Sequence, residues 1–344
     1  MNTDRQSLTQ RTLHGLLWMG SGKAAYTLLQ LVVLGLLGRL ISPQQFGIVS
    51  AALVVTGLSS IVSNLGLGPA IVQRPTLERR HLDTAFTTSL GLGIGLGAVI
   101  WLAAPLAADL MRMERMTAVL RALAWVFPLQ ALGTVAASIL ARDLEFSWLA
   151  ARDVVTYGLG YGVVGIGTAL LGWGVWALVA AEIVQATLKS ALLLAKHPPS
   201  RGLTFDRGAF KDLAYFGGGF TVARLANYAA VYGDNVVTGR FLGPAALGYY
   251  SRAYSLMSGP AYAFGAVLDS VLFPAMAKVQ DDPRRLAKAY LRAVGLIALL
   301  VLPLSAALIL VAPELIRIAL GPDWTAAVAP FQVLGLGMLF RTSY

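Results

Sequence analysis

Apolar runs of twenty or more residues recur along the whole of this chain, and that recurrence restricts its fold more than any other feature. An α-helix rises about 1.5 Å per residue, so about twenty apolar residues cross ~30 Å of hydrocarbon. Inside lipid every backbone N–H and C=O must find a partner within the protein, which leaves the helix as the element for runs of this length. Spans are expected over 13–38, 46–72, 84–110, 117–140, 149–171, 174–195, 212–239, 245–275, 288–311 and 324–344. The fold class is therefore all-α, a polytopic transmembrane helical bundle. Composition agrees: hydrophobic residues fill 57% of 344 positions and charged ones 13%, the latter about half the share of a soluble domain, which excludes an ordinary soluble enzyme. The opening MNTDRQSLTQRTLHGLLW has the basic lead-in of a signal peptide, but the apolar stretch from Leu13 to about Leu37 is too long for one and lacks a small-residue cleavage site. It reads as a retained first helix.

The loops alternate in charge. One set carries Arg5 and Arg11, then Arg74, Arg79 and Arg80, then Arg142 and Arg152, then Lys196, Arg201, Arg207 and Lys211, then Lys278, Arg284, Arg285 and Lys288. The other set carries only Arg39, Arg112, Arg115, Arg240 and Arg317. Positive residues in short loops stay on the cytoplasmic side, so a multi-pass protein with a cytoplasmic N-terminus is expected. The formal charge of +10 thus sets topology. It is not a nucleic-acid footprint, which needs Lys and Arg clustered on a soluble face with a reading motif. The absence of Cys excludes thiolate metal centres and cysteine nucleophiles.

The sequence also repeats itself. GRLISPQQFG from Gly38 aligns with GRFLGPAALG from Gly239, an offset of 201, so that Gly38, Arg39, Pro43 and Gly47 fall on Gly239, Arg240, Pro244 and Gly248. The same offset puts Lys23 on Arg224 and Ser50 on Ser251; further on, Pro69-Ala70 meets Pro274-Ala275 with a slip of four residues, about one helical turn. Six helices precede the second copy, an even number, so both copies share one orientation about an axis along the membrane normal. Parallel repeats of this kind mark transporters, with substrate bound between the lobes. KHPPSRGLTFDRGAFK at 196–211 is the longest connection and the expected boundary between a six-helix lobe, 1–200, and a second lobe, 201–344, that the offset would carry well past Tyr344. About four of its six helices are expected here.

An ion at the bilayer centre costs several kcal/mol, so it normally faces a wet cavity or a partner. Lys23 lies ten residues into the first span, about 15 Å along its axis, and Arg224 holds the equivalent place in the second copy. Tyr26, Thr27 and Gln30 share a helix face with Lys23, and Asn227, Tyr228 and Asp234 continue the face of Arg224. The expectation is a central cavity lined by Lys23, Arg224, Tyr26, Gln30, Asn227 and Tyr228 and suited to a pyrophosphate, since Arg offers a planar fork and Lys a mobile point charge. Snorkelling, or an ion pair of Arg224 with Asp234, is the competing account. Asp234, Asp269 and Glu182 are candidates for Na+ or H+ coupling, with a headgroup-level position the alternative for Asp269 and for Glu182. Arg39 and Arg240 read as cations of a structural turn that ends one helix and begins the next at a proline.

Several motifs are set aside. GYGVVG at 160–165 matches a dinucleotide fingerprint but lies in an apolar span with no preceding strand. It and the glycines at 91, 93, 95 and 97 suit close helix packing. Asp282-Pro283 reads as a helix N-cap with proline at the first helical position. His14, His81 and His197 have no metal spacing and read as interfacial or solvated; no metal or other cofactor is expected.

The phrases GRLISPQQFGIVSAALVV and YGDNVVTGRFLGPAALGYYSRAYSLMSGPAYAF resemble the polysaccharide repeat-unit flippases of O-antigen, exopolysaccharide and colanic-acid-type assembly, within the multidrug/oligosaccharidyl-lipid/polysaccharide exporter superfamily. The resemblance implies a bacterial inner-membrane translocase rather than an enzyme. Its substrate would be an undecaprenyl-diphosphate-linked oligosaccharide, flipped from the cytoplasmic to the periplasmic leaflet by alternating access, with membrane lipids around it and a polysaccharide polymerase or export complex as a partner. It places the family's conserved-phrase Asp on Asp234. A multidrug or peptidoglycan-precursor exporter of the same superfamily is the alternative; a membrane-embedded polymerase or ligase would need a large outside loop, and every outside loop here is short.

Overall fold

The computed structural model describes residues 25–64, 66–198, 203–277 and 282–337, and these are helical with short connections. In chain order the helices are α1 (Ala25–Leu40), α2 (Pro43–Asn64), α3 (Leu67–Gln73), α4 (Arg79–Met111), α5 (Met116–Leu123), α6 (Val126–Arg142), α7 (Phe146–Tyr157), α8 (Ile166–Leu170), α9 (Val175–Lys196), α10 (Arg207–Ala277), α11 (Pro283–Leu310), α12 (Ala312–Ala319) and α13 (Val328–Leu336). A π-helical segment, Gly158–Gly165, joins α7 to α8, and a 3₁₀ turn, Pro322–Ala327, precedes α13. Among the described residues, α4, the continuous stretch Met116–Arg142, α9 and Arg284–Leu310 are each long and apolar enough to cross a membrane. α4 keeps Val99, Leu102, Leu106 and Leu110 exposed, as a lipid-facing helix does.

The chain forms two compact units, 1–247 and 248–344. In the first, Leu67, Ala70, Ile71, Ala85, Val135 and Leu213 build one buried cluster, and α4, α5, α6 and α9 pack by small-residue contact. A Cβ on Gly93 would stand 2.7 Å from Ala131 Cβ, and one on Gly97 2.9 Å from the Ala124 carbonyl, whereas Gly91 and Gly95 face open space. Only alternate glycines of the expected run therefore carry packing. Gly160, in the π segment, backs onto α9 at 2.8 Å from Gln185 Cβ and 2.9 Å from the Ala181 carbonyl. Gly160→Leu is expected to abolish the folded monomer in detergent, while Gly167→Leu, in open space, leaves its size-exclusion peak intact.

The first half of α10 is stitched along the first unit. Near one end Arg74 Nη2 lies 2.9 Å from Asp212 Oδ2. In the middle the Tyr228 hydroxyl donates to the Val54 carbonyl at 3.0 Å, where the α2 backbone is reached over Gly57. At the other end Arg240 donates to the last carbonyls of α4, Leu110 and Asp109. The turn cation thus neutralises the C-terminal dipole of a neighbouring helix rather than its own. Both repeat copies break at equivalent points: α1 ends at Leu40 and Pro43 opens α2, while α10 breaks at Gly243, with φ 87° and ψ 178°, and Pro244 follows. That positive φ requires glycine.

The second unit packs α11, α12 and α13 about Trp324 and Phe331, both fully buried; Tyr249 meets Trp324 edge to face at 5.9 Å. Asp282 caps α11, its carboxylate accepting from Arg284 N at 3.0 Å and Arg285 N at 3.1 Å with Pro283 at the first helical position. His81 departs from the solvated position expected of it. It is fully buried, its Nδ1 accepts from the Glu78 N–H at 3.2 Å to close a capping box on α4, and its Nε2 lies 3.7 Å from Asp212.

Candidate functional site

The first unit holds a partly open cavity of about 370 Å³ between the α2–α3 junction, α6, α7, α9 and α10. Gly66, Gly68 and Gly133 keep its walls thin, and Gln130, Thr134, Ser138, Arg152, Lys189, Ser190, Thr221 and Arg224 make it polar. Most of the hydroxyl protons are committed to helix backbone. Thr134 donates to the Gln130 carbonyl at 3.2 Å, Ser138 to Thr134 at 2.8 Å and Ser190 to Leu129 at 2.5 Å. The donors turned to a ligand are therefore the cations and the Gln130 amide.

Arg152 and Lys189 share one carboxylate: Asp153 Oδ1 lies 2.8 Å from Arg152 Nη2 and 3.5 Å from Lys189 Nζ. Two cations on one acid leave a surplus positive charge, and Arg224 lines the same cavity. The Arg152 side chain is 12% exposed, and its Nε is buried without a hydrogen-bond partner among the described residues. Arg152 lies six residues into α7, roughly 9 Å along its axis, and Lys189 seven residues before the end of α9, roughly 10 Å. Glu145 and Lys196, 3.1 Å apart, mark the shared end of those two helices. Both cations thus sit about two helical turns inside the bundle, and Arg152 is the more shielded of the two.

Of the residues expected to line a cavity, Arg224 does so. Tyr26 and Gln30 lie on α1, with the Tyr26 ring 5.2 Å from that of Tyr157. Tyr228 is tied to the α2 carbonyls. Asn227 is exposed on α10, and Asp234, also exposed, accepts from the Asn235 N–H at 2.7 Å. Lys23 and the side chain of Asp269 lie outside the described residues.

Arg152 and Lys189 are the cavity cations that sequence reasoning missed. Arg152 was counted with the loop charges that set topology. Lys189 lies inside an apolar span, and the intramembrane-ion rule that singles out Lys23 applies to it equally. Glu182, for which the sequence leaves a coupling role and a headgroup-level position both open, sits seven residues inside α9 and accepts from the Tyr161 hydroxyl at 2.7 Å.

A multi-pass helical bundle with a polar, cationic interior cavity is the form of a membrane transport protein. The matching family model is described as a polysaccharide biosynthesis protein and covers residues 36–329, and the chain belongs to that family. It is 27% identical over 340 residues to the teichuronic acid biosynthesis protein TuaB of Bacillus subtilis (strain 168), covering 97% of this chain and 70% of the relative. It is 23% identical over 342 residues to the lipopolysaccharide biosynthesis protein WzxC of Escherichia coli (strain K12), covering 98% and 68%. It is 27% identical over 319 residues to the succinoglycan biosynthesis transport protein ExoT of Rhizobium meliloti (strain 1021), covering 93% and 64%. The fold is similar to that of the lipid II flippase MurJ in an inward closed conformation, with a TM-score of 0.77 at 13% identity over 95% of this chain and 74% of that one. It is also similar to an inward-facing multidrug resistance MATE family transporter of the MOP superfamily, with a TM-score of 0.64 at 20% identity over 92% and 80%.

Proposed function

We propose that this chain is a translocase of the bacterial inner membrane that moves an undecaprenyl-diphosphate-linked oligosaccharide repeat unit from the cytoplasmic to the periplasmic leaflet by alternating access of two repeat-related lobes. The observation that carries the proposal is the convergence of Arg152, Lys189 and Arg224 on one interior cavity in a member of a polysaccharide biosynthesis family. A diphosphate is the part of such a substrate that most needs help inside a membrane. Arg152 supplies a rigid guanidinium fork, already largely shielded from solvent, and Lys189 a mobile point charge. Asp153 bridges the two cations and screens their mutual repulsion while the cavity waits. Lys23, on the repeat partner position of Arg224, is assigned to the same path, and the N-terminus to the cytoplasm.

The test is complementation of a host lacking its own repeat-unit flippase. Restored surface polysaccharide, with unchanged drug resistance and unchanged cell-wall synthesis, is the expected outcome. Restored viability in a host depleted of its peptidoglycan-precursor flippase, without polysaccharide, would move the substrate to lipid-linked peptidoglycan precursors.

A further inference from the structure

At the C-terminal end of α4 the chain turns through residues 112–115 into α5, which packs back against α4. Trp101 stands ten residues before Met111, about 15 Å down α4, and Trp125 nine residues past Met116, about 14 Å along the returning chain. The two indoles therefore lie at similar depth, and both are exposed, by 44% and 66%. Arg121 is one turn before Trp125 on the same helix face, and its guanidinium lies 4.5 Å from the centroid of the Trp101 ring. Ala118 continues that face with little bulk and is exposed. This surface is apart from the cavity that Arg152, Lys189 and Arg224 line.

An arginine that snorkels extends toward the helix end and water. Arg121 is instead laid over a ring ten residues from that end. The negative face of the indole holds the cation there but does not neutralise it. Asp109 and Glu114 are the acids of this end of the bundle, and among the described residues neither they nor any other acid lies within ion-pair distance of Arg121. Its Nε is buried without a hydrogen-bond partner among those residues. Arg142, Arg152 and Arg240, by contrast, are each met by a protein oxygen. A guanidinium can only donate, so a desolvated one beside lipid calls for an acceptor that the membrane itself supplies.

We propose that Arg121, flanked by Trp101 and Trp125, binds the phosphate of an anionic phospholipid, phosphatidylglycerol in kind, on the outer face of α4 and α5. The planar fork of Arg121 suits two phosphate oxygens, and the indole N–H of Trp125 adds a donor one turn away. Tryptophan favours the headgroup boundary, where one end of the ring is wet and the other apolar. The acyl chains would run deeper along Val99 and Ile94, both exposed on α4. A zwitterionic lipid brings an ammonium that the guanidinium repels, so the negative lipid is preferred. The leaflet is the periplasmic one in the orientation proposed above; the binding itself rests neither on that orientation nor on the translocase reading.

The experiment is native mass spectrometry of the purified, delipidated full chain in detergent, titrated with dioleoyl phosphatidylglycerol or dioleoyl phosphatidylcholine. Saturable binding that favours phosphatidylglycerol is expected. Arg121→Gln is expected to lower that affinity about tenfold, by loss of a charge-assisted contact, and to leave phosphatidylcholine binding unchanged. Arg115→Gln, at an exposed cation of the same end, should bind phosphatidylglycerol as the wild type does. Inorganic phosphate should not displace the lipid, since it has no chains to lay along α4. A wild type that does not distinguish the two lipids, undiminished binding in Arg121→Gln, an equal loss in Arg115→Gln, or displacement by phosphate overturns the proposal. Should Arg121→Gln fail to accumulate, Trp125→Leu changes an exposed side chain, keeps the cation on Trp101 and is expected to weaken phosphatidylglycerol binding; an unchanged affinity there overturns it as well.

Discussion

Replacing Arg152 and Lys189 together by alanine abolishes surface polysaccharide in a flippase-deleted host while the protein stays at its normal level in the membrane; that is the largest functional effect expected here. Each cation makes charge-assisted hydrogen bonds worth about 1.5–3 kcal/mol to an anion. Losing both therefore lowers affinity on the order of a hundredfold or more, at about 1.4 kcal/mol per factor of ten. The loss also leaves Asp153, now unpaired, as a negative charge beside the anion site. Asp153→Asn separates charge from architecture: it retains both cations and removes their shared acid, so polysaccharide output should be kept. Binding of inorganic pyrophosphate to the purified chain, read by calorimetry, should fall in the double variant and persist in Asp153→Asn. Arg224→Ala, at a more exposed wall of the same cavity, should weaken binding less. Equal output from the double variant and the wild type would remove the cavity from the transport path.

Arg142→Ala carries the largest expected loss of stability. Arg142, at the last residue of α6, donates from Nη1 to the carbonyls of Ile71 at 2.8 Å, Val72 at 3.4 Å and Arg74 at 2.5 Å, and from Nη2 to Pro75 at 3.1 Å. The first two belong to the last turn of α3, which stops at Gln73 and leaves them without intrahelical donors, and the other two lie just past it. One guanidinium therefore closes the C-terminus of a helix that is only seven residues long and contributes Leu67, Ala70 and Ile71 to the core cluster. Removing it costs on the order of 3 kcal/mol and a clear fall in the temperature at which the detergent-solubilised protein aggregates. Arg142→Lys recovers less than half of that loss, since one ammonium cannot serve carbonyls spread over five residues. An aggregation temperature unchanged in Arg142→Ala would show that water supplies the donors equally well.

These two arginines mark how much of the site was legible beforehand. In the sequence Arg142 and Arg152 look alike, two basic residues in one short connection, and the positive-inside rule absorbs both. Folded, they part: Arg142 turns toward the carbonyls of α3, and Arg152, ten residues on and already inside α7, turns into the bundle. Their difference is one of direction. Side-chain direction depends on where α7 starts and on how α9 lies against it, which no local pattern records. Arg224 was legible because the repeat pairs it with Lys23 and so singles it out from the other cations. Tyr228 shares the face of Arg224 expected from spacing, yet its hydroxyl is bonded to the α2 backbone at Val54, a contact that needs Gly57 on the opposing helix to bring the two elements so close.

The glycine runs make the same point about the fold. Periodicity identified Gly91, Gly93, Gly95 and Gly97 as packing residues, but a helix turns by about 100° per residue, so glycines two apart cannot all face one neighbour. The structure selects Gly93 and Gly97, four apart, and leaves the other two in open space.

What the sequence by itself determined is the part governed by local or averaged physics: helices as the only economical answer to long apolar runs in lipid, the break at Pro43 and Gly243-Pro244, the N-cap at Asp282, and the 201-residue repeat. What only the tertiary structure decided is which ions meet. Arg152, Lys189 and Arg224 come from helices far apart in the chain, and Glu182 finds Tyr161 across 21 residues. An ion's role in a membrane interior is set by the partner it is packed against, and that partner is chosen by how helices cross, not by the residues beside it in sequence.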